Sequence, residues 1–209
     1  MTSSKIRLVC FDIGGVLVRL AGGWEDACVR AGISIREGDV EWEKHHPLMR
    51  KYERGHLSTD EFFVAIKDCL KGITTEQYRG AFDAWLLEMY EGAIELIEEL
   101  KERGVLTACL SNTNERHWIL LGGGSETYRP LLKLDHRFAS HQIGEAKPDE
   151  AAYRVVEKEL GLRGDEILFF DDREENILGA RQAGWNAEQI TEYDAVAQER
   201  EFLKKYKVL

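Results

Sequence analysis

The feature that most constrains this chain is where its polar residues fall. Short apolar runs recur along it, and four times they lead into residues able to bind or react. Ile6 to Phe11 leads into Asp12, Val105 to Leu110 into Ser111-Asn112, Phe138 to His141 into Gly144 to Lys147, and Ile167 to Phe170 into Asp171-Asp172. Runs of this length, bounded in this way, read as buried strands. Amphipathic helical stretches separate them: Ala93 to Arg103 stopped by Gly104, Pro148 to Leu160 before Gly161, and Glu174 to Ala183 closed by Gly184. Asn114 to Leu121 also reads as helix. Trp185 to Ile190 reads as a last strand and Tyr193 to Tyr206 as a last helix. This alternation predicts an α/β fold, a doubly wound, Rossmann-like parallel sheet with helices on both faces. Ligands of such sheets bind at the carboxyl ends of the strands. Asp12, Ser111, Lys147, Asp171 and Asp172 are therefore expected along one edge.

One stretch breaks the alternation. From Trp24 to about Tyr90 the pattern is helical, with no strand evident. Ser58 to Glu61 and Thr74 to Gln77 read as capping boxes that open two helices, the first ended by Gly72. Residues 20–90 are expected to form a helical module inserted after the first strand. Residues 1–19 and 91–209 then form the α/β core.

Composition excludes several partners. The 209 residues carry 28 Lys and Arg against 38 Asp and Glu, a formal charge of −10. That balance argues against a nucleic acid or an anionic membrane surface as the main partner. No apolar run approaches the roughly 18 residues of a membrane-spanning helix, and Met1 to Lys5 lacks a leader pattern. Cys10, Cys28, Cys69 and Cys109 match neither a metal site nor a disulfide framework, which suits a reduced, cytoplasmic protein. A monomer or weak homodimer is expected.

The strand-end residues carry chemistry as a set. A lone strand-end Asp reads more readily as a helix cap or turn residue, and a lone Lys-Pro as a solvated loop. Three carboxylates converging at one edge repel one another unless a cation neutralises them. Oxygen ligands without His or Cys suit Mg²⁺. Lys147 adds one fixed positive charge, and Ser111 with the Ser111-Asn112 amides can donate to an oxyanion. Mg²⁺, a lysine and hydroxyl donors around one Asp suit phosphoryl transfer from a small-molecule phosphomonoester to Asp12, the nucleophile.

Phe11 to Leu17, Leu110-Ser111-Asn112, Lys147-Pro148-Asp149 and Phe169 to Asp172 resemble, in order, the four motifs of the haloacid dehalogenase-like (HAD) hydrolase superfamily. Ser111 to Asn114, His117-Trp118, Asn176 and Gly184 resemble more narrowly the subgroup of a sugar-1-phosphate phosphatase and the epoxide-hydrolase N-terminal phosphatases. The resemblance implies a HAD core with a helical C1-type cap. It implies Asp12 as nucleophile and Mg²⁺ ligand, the Gly14 carbonyl, Asp171 and Asp172 as further ligands, Ser111 and Lys147 as the phosphate-binding pair, and Asn112 as a residue orienting substrate.

Gly14 departs from that pattern, since most phosphatases of the superfamily carry there a second Asp that protonates the leaving oxygen. General acid–base help is worth about 10²–10⁴-fold, or about 3–5 kcal/mol. An acid from the cap, or a leaving group that needs little help such as a sugar 1-phosphate, would answer the loss. Dehalogenase or phosphonatase chemistry, the latter with a lysine among Lys44, Lys51, Lys67 and Lys71, and a non-catalytic binding role are the alternatives. Trp24, Trp42, His45, His46 and Arg50 are candidate cap contacts for substrate, though the tryptophans read more readily as cap core and the histidines as a solvated helix face. His117 and Trp118 follow the second motif.

Overall fold

The computed structural model describes residues 5–209; Met1 to Ser4, and with them most of the stretch read as lacking a leader, lie outside the described residues. In chain order the elements are β1 (Leu8–Phe11), β2 (Val18–Leu20), α1 (Trp24–Arg30), α2 (Trp42–Glu53), α3 (Thr59–Ala65), α4 (Thr75–Asp83), β3 (Leu86–Met89), α5 (Ala93–Glu102) and β4 (Leu106–Ser111). There follow α6 (Glu115–Ile119), β5 (His136–Ala139), α7 (Ser140–Ile143), α8 (Glu150–Leu160), β6 (Ile167–Asp171), α9 (Glu174–Gln182), β7 (Asn186–Gln189) and α10 (Ala195–Lys205). Five strands form one parallel sheet in the order β5-β4-β1-β6-β7. The α/β sheet expected from the alternation is present, with β1 at its centre.

The period of two explains why both faces of the central strands are buried. Val9 and Phe11 of β1, with Leu168 and Phe170 of β6, pack on one face with Leu96, Leu100 and Leu203. Leu8 and Cys10, with Ile167 and Phe169, pack on the other with Tyr153 and Trp185. A strand buried on both faces reads as a continuous apolar run, as these two do.

A third apolar cluster lies in the helical segment, where Tyr52, Phe62, Phe63, Ile66, Tyr78 and Phe82 pack together. Both capping boxes form as expected, Ser58 with Glu61 and Thr74 with Gln77. The first of these helices ends earlier than Gly72, however. It stops at Ala65, and a 3₁₀ turn over Ile66–Cys69 follows.

The reading of this stretch as free of strands is corrected. β2 and β3 form an antiparallel pair, with Leu20 opposite Leu86 and Val18 opposite Met89. Two three- or four-residue strands offer too little periodicity to show against the flanking helices. Two shorter corrections concern the lysine loop. The run to His141 stays in the sheet only to Ala139, and Ser140 opens α7. Pro148 follows a cis peptide bond and precedes α8 by two residues, with Asp149 at the N-cap. No helix among the described residues is long and apolar enough to cross a membrane.

Candidate active site

The sheet brings the sequence-selected residues to one edge. Asp12 follows β1, Ser111 closes β4, Asp171 closes β6 and Asp172 follows it. Asp12, Asp171 and Asp172 each offer an oxygen within 4.8 Å of the others. The Asp12 amide donates to Phe170 O at 2.8 Å, and its Oδ1 accepts from the Ile13 amide at 2.6 Å. Gly15 makes room for the group. Its φ is +73°, and a Cβ there would lie 2.5 Å from Asp172 Oδ2. A side chain at that position would be both strained and in collision.

Lys147 is buried among the carboxylates, not solvated. Its Nζ lies 2.6 Å from Asp171 Oδ2 and 3.1 Å from Asp12 Oδ2. Asp171 accepts as well from the Arg173 amide at 2.9 Å and from Asn176 Nδ2 at 3.0 and 3.1 Å. Its two oxygens are thus already engaged, whereas Asp172 faces the cavity. Asn112 spends its side chain on the lysine loop. Its Nδ2 donates to the Lys147 carbonyl at 2.8 Å, and its Oδ1 accepts from the Lys147 amide at 2.9 Å. That two-sided clasp fixes the backbone from which Nζ projects.

The electrostatics favour a further cation. Three carboxylates face one ammonium. Burial pushes Asp12 up to about 7; Asp171 and Asp172 add to the rise and Lys147 opposes it. Asp172 is raised for the same reasons, burial first and then Asp171. Burial disfavours the Lys147 charge, but Asp12 and Asp171 outweigh it and hold its pKa above the ordinary value. Hard oxygen donors with negative charge left over are the donor set a divalent cation such as Mg²⁺ requires.

Over this edge lies a cavity of about 650 Å³. Its floor includes Asp12, Gly14, Ser111, Asn112 and Asp172, and its upper wall Trp24, Trp42, His45, His46, Tyr78 and Trp85. Of the cap residues proposed from sequence, both tryptophans and both histidines line it, and Arg50 does not. His117 lines it but is held elsewhere. Its Nε2 donates to Phe82 O at 2.8 Å, and its ring stacks on Phe82 with centroids 4.2 Å apart. Trp118 packs under the Arg137 guanidinium, away from the cavity. Lys44, Lys51, Lys67 and Lys71 are exposed, and none lines the cavity. That leaves none of these four placed for Schiff-base chemistry.

Trp85, Leu86 and Glu53 are wall residues that escaped the sequence reading, as did Leu20 and Tyr78. Trp85 and Leu86 sit at β3, which the helical pattern concealed. Glu53 ends α2, where a charged residue looks like solvated surface. Burial raises its carboxyl above the usual range, against the nearby Arg173, Arg50 and Arg54. The upper helices are tied down by polar contacts. Arg116 Nε and Nη2 each lie 2.5 Å from an Asp83 oxygen, and Arg54 Nη2 lies 2.5 Å from Asp149 Oδ2. Gly55, at φ +70°, passes so close to the His141 carbonyl that a Cβ would lie 2.1 Å from it.

Residues 6–184 match the family model described as haloacid dehalogenase-like hydrolase. A phosphoglycolate phosphatase of Mannheimia succiniciproducens is 31% identical over 213 residues, covering 90% of this chain and 87% of that protein. An (S)-2-haloacid dehalogenase of Burkholderia cepacia is 26% identical, covering 89% of this chain and 83% of its own. A HAD family enzyme of Bacteroides thetaiotaomicron, solved with magnesium and inorganic phosphate, superposes with a TM-score of 0.74. It is 21% identical, over 91% of this chain and 98% of that one. For three further curated relatives the match spans 35%, 42% and 44% of their lengths, less than half in each case.

Proposed function

The chain belongs to the haloacid dehalogenase-like hydrolase family, and from that premise we propose that it is a Mg²⁺-dependent phosphatase of a small phosphomonoester. The observation that carries this reading is the buried arrangement of Asp12, Asp171 and Asp172 around Lys147. Asp12, the Gly14 carbonyl and Asp172 would hold the ion, with Asp171 beside it. When bound, Mg²⁺ neutralises charge on the phosphoryl group and on the carboxylates.

The chain's own residues divide the remaining work. The Asp12 carboxylate attacks phosphorus and forms an aspartyl-phosphate, which water then hydrolyses. Lys147, aligned by Asp171 and by the Asn112 clasp, holds a phosphoryl oxygen. The Ser111 hydroxyl donates to another. The wall of helices above the cavity limits access by water and by large phosphoproteins. Esters whose leaving oxygen needs little protonation, sugar 1-phosphates among them, suit the missing carboxyl at Gly14. The four cysteines are free and buried, in keeping with action in the reducing cytoplasm, as a monomer or weak homodimer.

The test is phosphate release from a panel of phosphomonoesters at neutral pH. Release that needs Mg²⁺, stops with EDTA and is lost in Asp12→Asn is the expected result. A dehalogenase would instead release halide from a haloacid without metal. Gly14 permits that chemistry, since a departing halide takes no proton, but the cluster of three carboxylates gives it no use for its charge.

A further inference from the structure

The cavity is polar at one end and apolar at the other. Above the carboxylates its wall is built from Leu20, Trp24, Trp42, Tyr78, Trp85 and Leu86. Trp42 keeps 36% of its surface exposed and meets Trp24 edge to face at 5.6 Å, while Trp24 lies 4.8 Å from Tyr78. The polar side chains in the upper wall are few. His45 Nε2 is 2.5 Å from the Tyr78 hydroxyl and His46 stacks on Trp42; His45 Nδ1, Trp24 Nε1 and Glu53 are left. A sugar ring carries hydroxyls all around it, and each needs a partner once water is displaced. Three such groups on this wall are too few to serve a full ring of hydroxyls.

Position 14 adds an independent observation. A Cβ there would lie 2.8 Å from Leu20 Cδ1, so the space of the usual acid is filled by a leucine. An ester cleaved at such a floor must have a leaving oxygen that is stable as an anion. Phenols, with pKa near 10, meet that demand, and ordinary aliphatic alcohols do not.

We infer that the substrate is a phosphomonoester of an apolar, ring-bearing alcohol, an aryl phosphate in the best case, with its ring against Leu20, Trp24 and Trp42. The inference rests on the phosphatase reading. An Asp12 oxygen bonds to phosphorus as the bond from phosphorus to the aryl oxygen breaks. The electron pair leaves on the phenolate, which takes a proton from solvent. Water then attacks phosphorus, the bond to Asp12 breaks, the carboxylate is restored and the water's proton goes to solvent.

The full chain with Mg²⁺ is assayed on 2-naphthyl phosphate, phenyl phosphate, glucose 1-phosphate and glucose 6-phosphate. The expected kcat/KM for 2-naphthyl phosphate exceeds that for glucose 1-phosphate by about 100-fold, the order of discrimination apolar pockets reach. Trp42→Ala lowers the naphthyl-to-phenyl ratio about tenfold, because the second ring loses its wall. Leu20→Ala, the second variant, lowers it in the same direction. Equal or faster turnover of a glucose phosphate overturns the inference alone, and so does an unchanged ratio in both variants. No release from any of the four overturns the phosphatase reading and the inference with it.

Discussion

The two ends of the cavity are built on opposite principles. The floor comes from strand ends of the rigid sheet, and its polar groups are tightly partnered. Lys147 meets two carboxylates, and Asp171 meets three donors. The upper wall comes from short helices and a two-stranded ribbon, and its character is aromatic. A partnered ionic floor fixes one reaction geometry. An apolar wall admits any shape that fills it. We propose that the sheet edge sets the chemistry and the helical segment the selectivity.

Removing the floor's cation is the strongest way to break that contrast. Lys147→Met leaves Asp12 and Asp171 buried without their counter-charge, a loss of about 3–5 kcal/mol. Denaturant unfolding should show it, together with loss of activity. An aromatic substitution of the wall at exposed Trp42 should leave the unfolding midpoint nearly unchanged.

Acid should loosen the wall side first. Burial pushes His45 and His117 down to about 4, from an ordinary value near 6.5. A depressed histidine contributes stability that is present above pH 6.5 and is lost as pH falls through 4. The loss amounts to about 3 kcal/mol for each at the limit. Hydrogen exchange at pH 7 and pH 4.5 should reveal opening of α2 and α4 before the sheet. Simultaneous opening of both would dissolve the distinction.

Asn112→Ala tests the clasp on the lysine loop. It should cost about 1–3 kcal/mol and lower kcat more than it raises KM, since Lys147 would be misplaced rather than absent. A change confined to KM would return Asn112 to direct substrate binding, the role its motif suggests.

The smallest effect lies away from both ends. Glu199 is wholly buried in α10, and both its oxygens lack a hydrogen-bond partner among the described residues. Burial raises its carboxyl well above the usual range. A raised carboxyl contributes stability below about pH 4.5 that is lost as pH rises. Glu199→Gln should therefore raise Tm at pH 7 to 8, by about 1–2 kcal/mol of stability, with the gain vanishing near pH 4.5.

The same division governs what can be read from sequence. The floor was legible because each of its residues follows a strand whose burial on both faces writes a continuous apolar run. Asp12, Ser111, Asp171 and Asp172 stand where those runs stop. Lys147 could be chosen, but its burial could not, because Lys-Pro looks like a surface turn until Asn112 is seen to grip it. The wall was only half legible. Trp24 and Trp42 serve both as packing for the upper helices and as cavity surface, and spacing cannot separate the two uses. Leu86 was hidden in a strand too short to show its period, and Trp85 immediately before it. Leu20, the residue that fills the space beside Gly14, lies six positions away across a turn that only the fold closes.

The central claim is that Asp12 becomes phosphorylated. Mixing the chain with Mg²⁺ and an aryl phosphate, quenching rapidly in acid and mapping peptides by mass tests it directly. One added phosphoryl group is expected on the peptide carrying Asp12, formed and lost within the turnover time and absent in Asp12→Asn. Turnover with no phosphorylated peptide, or with the group on another residue, would contradict it.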